Sequence, residues 1–308
     1  MSGILVSGVT GLVGRFVLEA LLQTTDEEVH ALTRRPLPAP FDANPRIRAW
    51  QTDLSEAERL TQALREARPA VVIHPAAIAD VDACERDHAL ARAANVEGAA
   101  NLARASAAVG AHFIHVSTDY VFDGSQAHPG PYDETAPVHP VNYYGETKLE
   151  AERLVSDICA GRVGLAICRT ALVYGLNPTG RTNFIVTIAN ELRAGRRIRA
   201  VTDQQNTPTP AANLAEMLVA AARQRTVGLF NTAGGELITR YALAQAVADH
   251  FKLDASLITP LLSADLGQLA RRPLLSGLRV DKAERELGVR AWNIKQGLDW
   301  LKSLLDVG

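Results

Sequence analysis

An α/β fold is what the sequence predicts: a doubly wound parallel sheet followed by a smaller C-terminal lobe. Short, nearly continuous apolar runs alternate with longer amphipathic stretches, and a glycine-rich turn joins the first run to the first helical stretch. The runs are Ile4-Leu5-Val6, Val29 to Leu32, Val71-Val72-Ile73, Phe113 to Val116 and Leu165 to Cys168. Strands covered on both faces read this way, because neither face needs polar side chains. Between them the clearest helical pattern passes through Ala89, Ala93, Val96, Ala100, Ala103 and Ala107, in steps of four and three. Strand and helix in repeated alternation define the doubly wound class.

After about Thr170 the rhythm loosens. Helical patterns at Phe184 to Arg193, Leu214 to Arg223, Tyr241 to Phe251 and Ile294 to Leu305 are separated by polar, Pro-containing connections, with Thr207-Pro208-Thr209-Pro210 the densest. The expected division is residues 1–170 as a nucleotide-binding domain and 171–308 mainly as a substrate-binding lobe. A segment near 205–232 is expected to return to the first domain.

The whole-chain figures exclude several classes. With 47% apolar residues, 21% charged residues and a formal net charge of −2, the 308-residue chain reads as globular. It lacks the basic balance that grips nucleic acid. No run reaches the roughly 20 apolar residues that cross a bilayer, so a cytoplasmic protein with no membrane partner is expected. Cys84, Cys159 and Cys168 are odd in number and widely spaced, which predicts neither disulfides nor a zinc site. His112 and His115 fall on opposite faces of one strand and cannot chelate together, so both read as ordinary strand residues and no metal is expected.

Gly8-Val9-Thr10-Gly11-Leu12-Val13-Gly14 closes the first strand and opens the first helix. Glycines there permit a tight turn and close backbone approach to a pyrophosphate, while the N–H groups at the helix start favour its charge. In this strand-to-helix context the spacing points to a Rossmann-type dinucleotide site. The selector between cofactors lies at the end of the second strand. An acid there would hold a ribose 2′-hydroxyl; this chain has Thr33-Arg34-Arg35, whose hydroxyl and guanidinium groups suit a 2′-phosphate. NADP(H) is therefore preferred, with NAD(H) the second choice.

Tyr144-Gly145-Glu146-Thr147-Lys148 places a phenol and an ammonium four residues apart, on one face of a helix that Pro140 and Asn142 would start. A nearby ammonium is expected to lower the phenol's pKa from about 10 and make it a usable proton donor. Ser117 and Thr118 end the strand that begins near Ala111, and carboxyl ends of strands are where such sheets bind ligands. Their hydroxyls can therefore hydrogen-bond a substrate carbonyl.

Ser117-Thr118-Asp119-Tyr120-Val121-Phe122-Asp123-Gly124, then Pro131-Tyr132-Asp133-Glu134 and Tyr144-Gly145-Glu146-Thr147-Lys148, resemble the dTDP-4-dehydrorhamnose reductase family of extended short-chain dehydrogenases. The likeness continues through Arg169 to Gly175, Asn183-Phe184, Asp203-Gln204, Pro208-Thr209 and Arg272-Pro273 with Ser276. It implies that Thr118 polarises a ketone, that Tyr144 donates a proton, and that Lys148 holds the nicotinamide ribose. The implied substrate is a nucleotide-linked 6-deoxy-4-ketohexose. Implied cofactor contacts add Asp53, Leu54, Ala76, Ala77 and Asn95 to the glycine loop and Thr33-Arg34-Arg35. Implied substrate contacts are Asp119, Tyr120, Val121, Asn183 and Arg272. Related dehydratases usually carry Asp-Glu after the threonine, whereas this chain has Asp119-Tyr120.

His74-Pro75 and Ile78-Ala79-Asp80 depart from the usual family residues near cofactor and sugar, which leaves another carbonyl substrate open. A second alternative is non-catalytic, because the regulatory subunit of methionine adenosyltransferase resembles the same family. The resemblance also allows a homodimer.

Overall fold

The computed structural model describes residues 3–24, 26–177 and 182–306. Seven parallel strands form the central sheet: β1 (Ile4–Ser7), β2 (Val29–Thr33), β3 (Ile47–Gln51), β4 (Val71–His74), β5 (His112–Thr118), β6 (Leu165–Thr170) and, late in the chain, β11 (Gly228–Asn231). Their order is β11-β6-β5-β4-β1-β2-β3. The winding reverses between β1 and β4, and a crevice opens there at the carboxyl ends.

The five apolar runs all became strands. Two strands escaped the sequence pattern. β3 (Ile-Arg-Ala-Trp-Gln) lies on the sheet edge and is half exposed, so it lacks a continuous apolar run. β11 has only four residues, and begins with a glycine at positive φ.

Helices cover both faces. α1 (Leu12–Thr24) and α8 (Ala211–Gln224) pack together on one, burying Phe16, Val17, Leu21, Leu214, Met217 and Leu218. α2 (Ala57–Ala67), α5 (Gly98–Ala108) and α6 (Tyr143–Cys159) cover the other over Leu5, Val72 and Phe113. Each large side chain removed from water here contributes about 1.5–3 kcal/mol. Within 205–232, α8 lies against α1 and β11 pairs in register with β6, while Gln205–Asn206 and Thr209–Pro210 pair outside the central sheet.

The Ala89-to-Ala107 pattern is less regular than its spacing suggests. After α3 (Val81–Arg86) come α4 (His88–Arg92), a π-helical turn at Ala93–Glu97, and then α5.

The C-terminal lobe is built from α7 (Phe184–Arg193), α9 (Arg240–Phe251), α11 (Ile294–Asp306) and short strands, whereas α10 (Asp281–Leu287) packs on α8 and β11 and buries Ala283 and Leu287 in the core of the sheet half. β7 (Val173–Tyr174) pairs with β10 (Thr209–Pro210), β8 (Ile198–Val201) with β13 (Ile258–Leu261), and β9 (Gln205–Asn206) antiparallel with β12 (Ile238–Thr239). Ile185, Ile188, Leu243, Val247, Leu298 and Leu301 form its separate core. All three cysteines are free and buried. Among the described residues, no helix is long and apolar enough to cross a membrane.

Candidate active site

The glycine loop leaves β1 at Gly8, whose φ of +61° is a left-handed conformation. Gly11 N–H donates to the Gly8 carbonyl at 2.8 Å, closing the turn. A Cβ on Gly14 would stand 2.3 Å from that same carbonyl oxygen. Glycine is therefore required both for the turn and for the seat of α1 against it. Thr10, Gly11, Leu12 and Val13 are half-buried at the helix start. Ala76 abuts Gly8 from the loop after β4, and Ala77 beside it is exposed.

At the end of β2, the Thr33 hydroxyl donates to the Arg35 carbonyl at 2.7 Å and accepts from the Arg35 N–H. That turn throws Arg34 outward, where its side chain is 75% exposed and 3.7 Å from the Asp53 carboxylate. Arg34, Gln51, Thr52, Asp53, Glu56 and Arg59 line an open cleft. Asp53 is held below the usual carboxylate range mainly by the Ser55 N–H, although its partial burial opposes this. Leu54 packs over Gly98, and its carbonyl accepts from Asn101.

Asn95 sits in the π-helical turn and is buried. Its carbonyl oxygen accepts from the Ile78 N–H at 2.8 Å, and its amide donates to the Ile78 carbonyl and the Thr147 hydroxyl at 3.1 Å each. It thus staples the loop after β4 to α6.

The Asn142 side chain caps α6 by accepting from the Gly145 N–H at 2.9 Å. A Cβ on Gly145 would lie 2.2 Å from the Tyr120 carbonyl oxygen, so glycine lets α6 touch the turn that follows β5. Thr118 ends β5, and its hydroxyl accepts from the Tyr120 N–H at 3.2 Å. Ser117 is buried, and its hydroxyl has no partner among the described residues. Tyr144 stands edge-on to Tyr120, with ring centroids 5.8 Å apart.

The electrostatics correct one expectation. Burial raises the Tyr144 pKa above its ordinary value; the Thr118 hydroxyl pulls the other way but does not win. Lys148 does not offset that burial, because its ammonium is committed elsewhere. It donates to the Val116 carbonyl at 2.8 Å and lies 3.3 Å from His115 Nε2. Burial lowers Lys148 to about 8, although Glu152 opposes the shift. Glu152 is itself tied to Arg169 through two bonds of 2.9 and 2.6 Å, both side chains being nearly inaccessible.

The other expected residues separate into two groups. Tyr120 and Arg272 stay half-buried. Arg272 is clamped to Asp82 at 2.9 Å and to the Ala270 carbonyl at 2.7 Å. Asp119, Val121 and Asn183 have internal work. Asp119 is buried and accepts from Ser276 Oγ at 2.7 Å and Asn206 at 3.2 Å, knotting β5 to the lobe. Val121 is fully buried beside Phe122 and Tyr132, which leaves only its backbone to meet a ligand. Asn183 caps α7 and donates to the Gly175 carbonyl at 2.6 Å.

Three residues were given no role by the sequence, although His74 stood out as a departure from the family pattern. Arg240 follows β12, lies over the Phe184 ring at 4.6 Å and interacts with Tyr120. His74 and His115 stand directly opposite each other on β4 and β5, and His115 reaches Lys148. No local spacing signals either arrangement. Among the described residues no cluster of side chains could hold a metal ion.

A parallel sheet with a glycine loop at its switch point, and Thr118, Tyr144 and Lys148 gathered two strands away, define an NAD(P)-dependent oxidoreductase of the extended short-chain dehydrogenase class. Within that class the chain belongs to the family described by the RmlD substrate binding domain, whose model matches residues 1–304. The dTDP-4-dehydrorhamnose reductase of Mycobacterium tuberculosis H37Rv is 38% identical over 231 residues, 74% of this chain and 72% of that one. Methionine adenosyltransferase 2 subunit beta of Pongo abelii is 31% identical over 288 residues, covering 91% and 81%. A solved dTDP-4-dehydrorhamnose reductase from Clostridium acetobutylicum superposes with a TM-score of 0.84 at 29% identity, covering 99% of each chain.

Proposed function

We propose that this chain catalyses NADPH-dependent reduction of the C4 ketone of a nucleotide-linked 6-deoxy-4-keto sugar. The observation that carries this reading is the buried pair of Thr118 and Tyr144 at the carboxyl edge of the sheet, with buried Lys148 one helical turn on from Tyr144. The 38% identical reductase supports the substrate class.

The sheet half, residues 1–170 with 205–232, would hold the dinucleotide. Gly8 to Gly14 fit a pyrophosphate, because the left-handed turn at Gly8 and the close seat of Gly14 on it set the start of α1 directly after the carboxyl end of β1. Thr33, Arg34 and Arg35 would surround the 2′-phosphate, and Asp53, Leu54, Ala76 and Ala77 the adenine and the linking groups. Asn95 acts by holding the Ile78 loop in place. When bound, the nicotinamide supplies the hydride. Thr118 donates to the ketone oxygen, Tyr144 delivers its proton there, and Lys148 stabilises the phenolate that remains. Burial keeps the phenol neutral and its proton ready for that step; Lys148, which does not offset burial in the resting site, would act on the phenolate once it forms.

The rest of 171–308 would grip the sugar nucleotide, with Arg272, Arg240 and Tyr120 facing it. A cytoplasmic homodimer belongs to the same proposal. The test is NADPH oxidation with the dTDP-4-keto-6-deoxy-L-sugar generated in place, beside Tyr144→Phe. Turnover that disappears in the variant supports the reading; equal turnover in both refutes the proton donor.

The 91% coverage by the subunit-beta relative favours one second reading, a regulatory NADP(H) binder. Tight NADPH binding with no turnover, and co-purification with a synthetase, would favour it.

A further inference from the structure

Ser7, His74 and His115 form a polar row inside an otherwise apolar layer. Val6 pairs with Ile73 and His74 with His115, so the three follow one another across β1, β4 and β5. Leu5, Val72 and Phe113, two residues earlier on each strand, pack under the helices α2, α5 and α6. By strand alternation the polar row faces the same way. Lys148 comes down on its end from α6.

The bonding along this row is directional. Ser7 Oγ and His74 Nδ1 are 2.7 Å apart, and His115 Nε2 and Lys148 Nζ 3.3 Å apart. Each imidazole thus uses one ring nitrogen. The two left over, His74 Nε2 and His115 Nδ1, are buried without a partner among the described residues, on rings whose centroids are 5.5 Å apart. A single water placed between the two nitrogens would satisfy both. An ammonium has no lone pair, so His115 Nε2 must accept from Lys148 and the ring proton must sit on Nδ1. The bridge then passes that proton's bond to His74 Nε2, which leaves His74 Nδ1–H to donate to Ser7.

We propose that Ser7, His74 and His115 are positioning residues that fix one imidazole tautomer and thereby present a neutral acceptor to the Lys148 ammonium. The row does for Lys148 what a carboxylate does for a catalytic histidine: it settles which nitrogen carries the proton. Burial supports neutrality, holding His74 near about 3 and His115 well below 6.5. The groups around Lys148 are His115 and the Val116 carbonyl on β5, His74 on β4, Tyr144 and Glu152 on α6, and Arg169 on β6, which is neutralised by Glu152. Removing the acceptor should therefore destabilise the ammonium and make Lys148 lose its proton at lower pH.

The role of Lys148 in turnover rests on the proposed reduction, so one readout must not depend on it. In the NADP⁺-bound protein with labelled histidine and lysine side chains, nitrogen NMR is expected to find the His115 proton on Nδ1. The Lys148 titration should move down by about one pH unit in His115→Phe and stay in place in His115→Gln, whose amide oxygen still accepts. A His115 proton found on Nε2, or a Lys148 titration unmoved in His115→Phe, overturns the proposal whether or not any sugar is reduced. With substrate, His115→Phe should lower kcat roughly tenfold and shift the alkaline limb of its pH profile, with KM for NADPH little changed and His115→Gln rescuing both. Equal losses in the two variants, with no shift of the limb, would reduce the row to packing. Failure of the wild type to turn over, with the NMR result as expected, would instead count against the sugar reductase reading alone.

Discussion

The two ends of the site solve opposite electrostatic problems. At the adenine end Arg34 faces water, and Asp53 stands 3.7 Å away as a loose, half-exposed partner. At the other end Tyr144, Lys148 and His115 are almost wholly withdrawn from solvent. Water screens the first set, so its charges would select a ligand only gently and could rearrange around it. Burial dominates the second. It raises the phenol, lowers the ammonium, and makes every missing bond expensive. A residue type therefore predicts little until its surroundings are known.

The comparison can be broken from its dry end first. Tyr144→Phe should cut kcat roughly a hundredfold to ten-thousandfold while NADPH binding survives, measured by steady-state kinetics and fluorescence titration. Comparable turnover would remove the phenol from the chemistry. Glu152→Ala strands Arg169 in the sheet's interior and should cost about 3–5 kcal/mol in denaturant unfolding. A loss under about 1 kcal/mol would show that water reaches the guanidinium. The alkaline limb of kcat should fall as pH rises through about 8, the value to which burial brings Lys148. In the sign that matters for stability, the unfolded chain binds more protons between about 8 and the ordinary lysine value, so the Lys148 contribution to stability rises with pH there.

The wet end should respond least. Arg34→Ala is expected to weaken NADPH on the order of fivefold, and NADH hardly at all, with the difference shrinking as salt is added. Equal losses for both cofactors would assign Arg34 to the surface rather than to the 2′-phosphate.

What could be read from the chain follows the same division between local and distant. The glycine loop and Tyr144 with Lys148 are legible because one turn and one helix place their residues by spacing alone. α7, α9 and α11 showed their ends to within a few residues, since polar, Pro-containing connections separate their apolar patterns, whereas the short α10 is not legible there. The π-helical turn at Asn95 left no mark, because small residues fit either helical period. Asp119 and Asn183 looked like ligand contacts, yet their polar groups are used up by Ser276, Asn206 and Gly175. The partners lie far along the chain and no window contains them. For the same reason His115 reads as an ordinary strand residue, and His74 only as a departure from the family pattern. Their meaning comes from a register between strands 67 and 33 residues removed from Ser7 and Lys148.

Asn142 has two hands. Its oxygen caps the helix that carries Tyr144, while its amide donates to the Arg271 carbonyl at 2.8 Å, next to the residue that would meet the nucleotide. The joint would work as a clutch. If a bound diphosphate drew residues 271–272 inward, the first turn of α6 would be pulled with them, so that grasping the handle of the ligand and aiming the acid at its far end would become one mechanical act. A truncated sugar without the nucleotide would then lose speed as well as affinity.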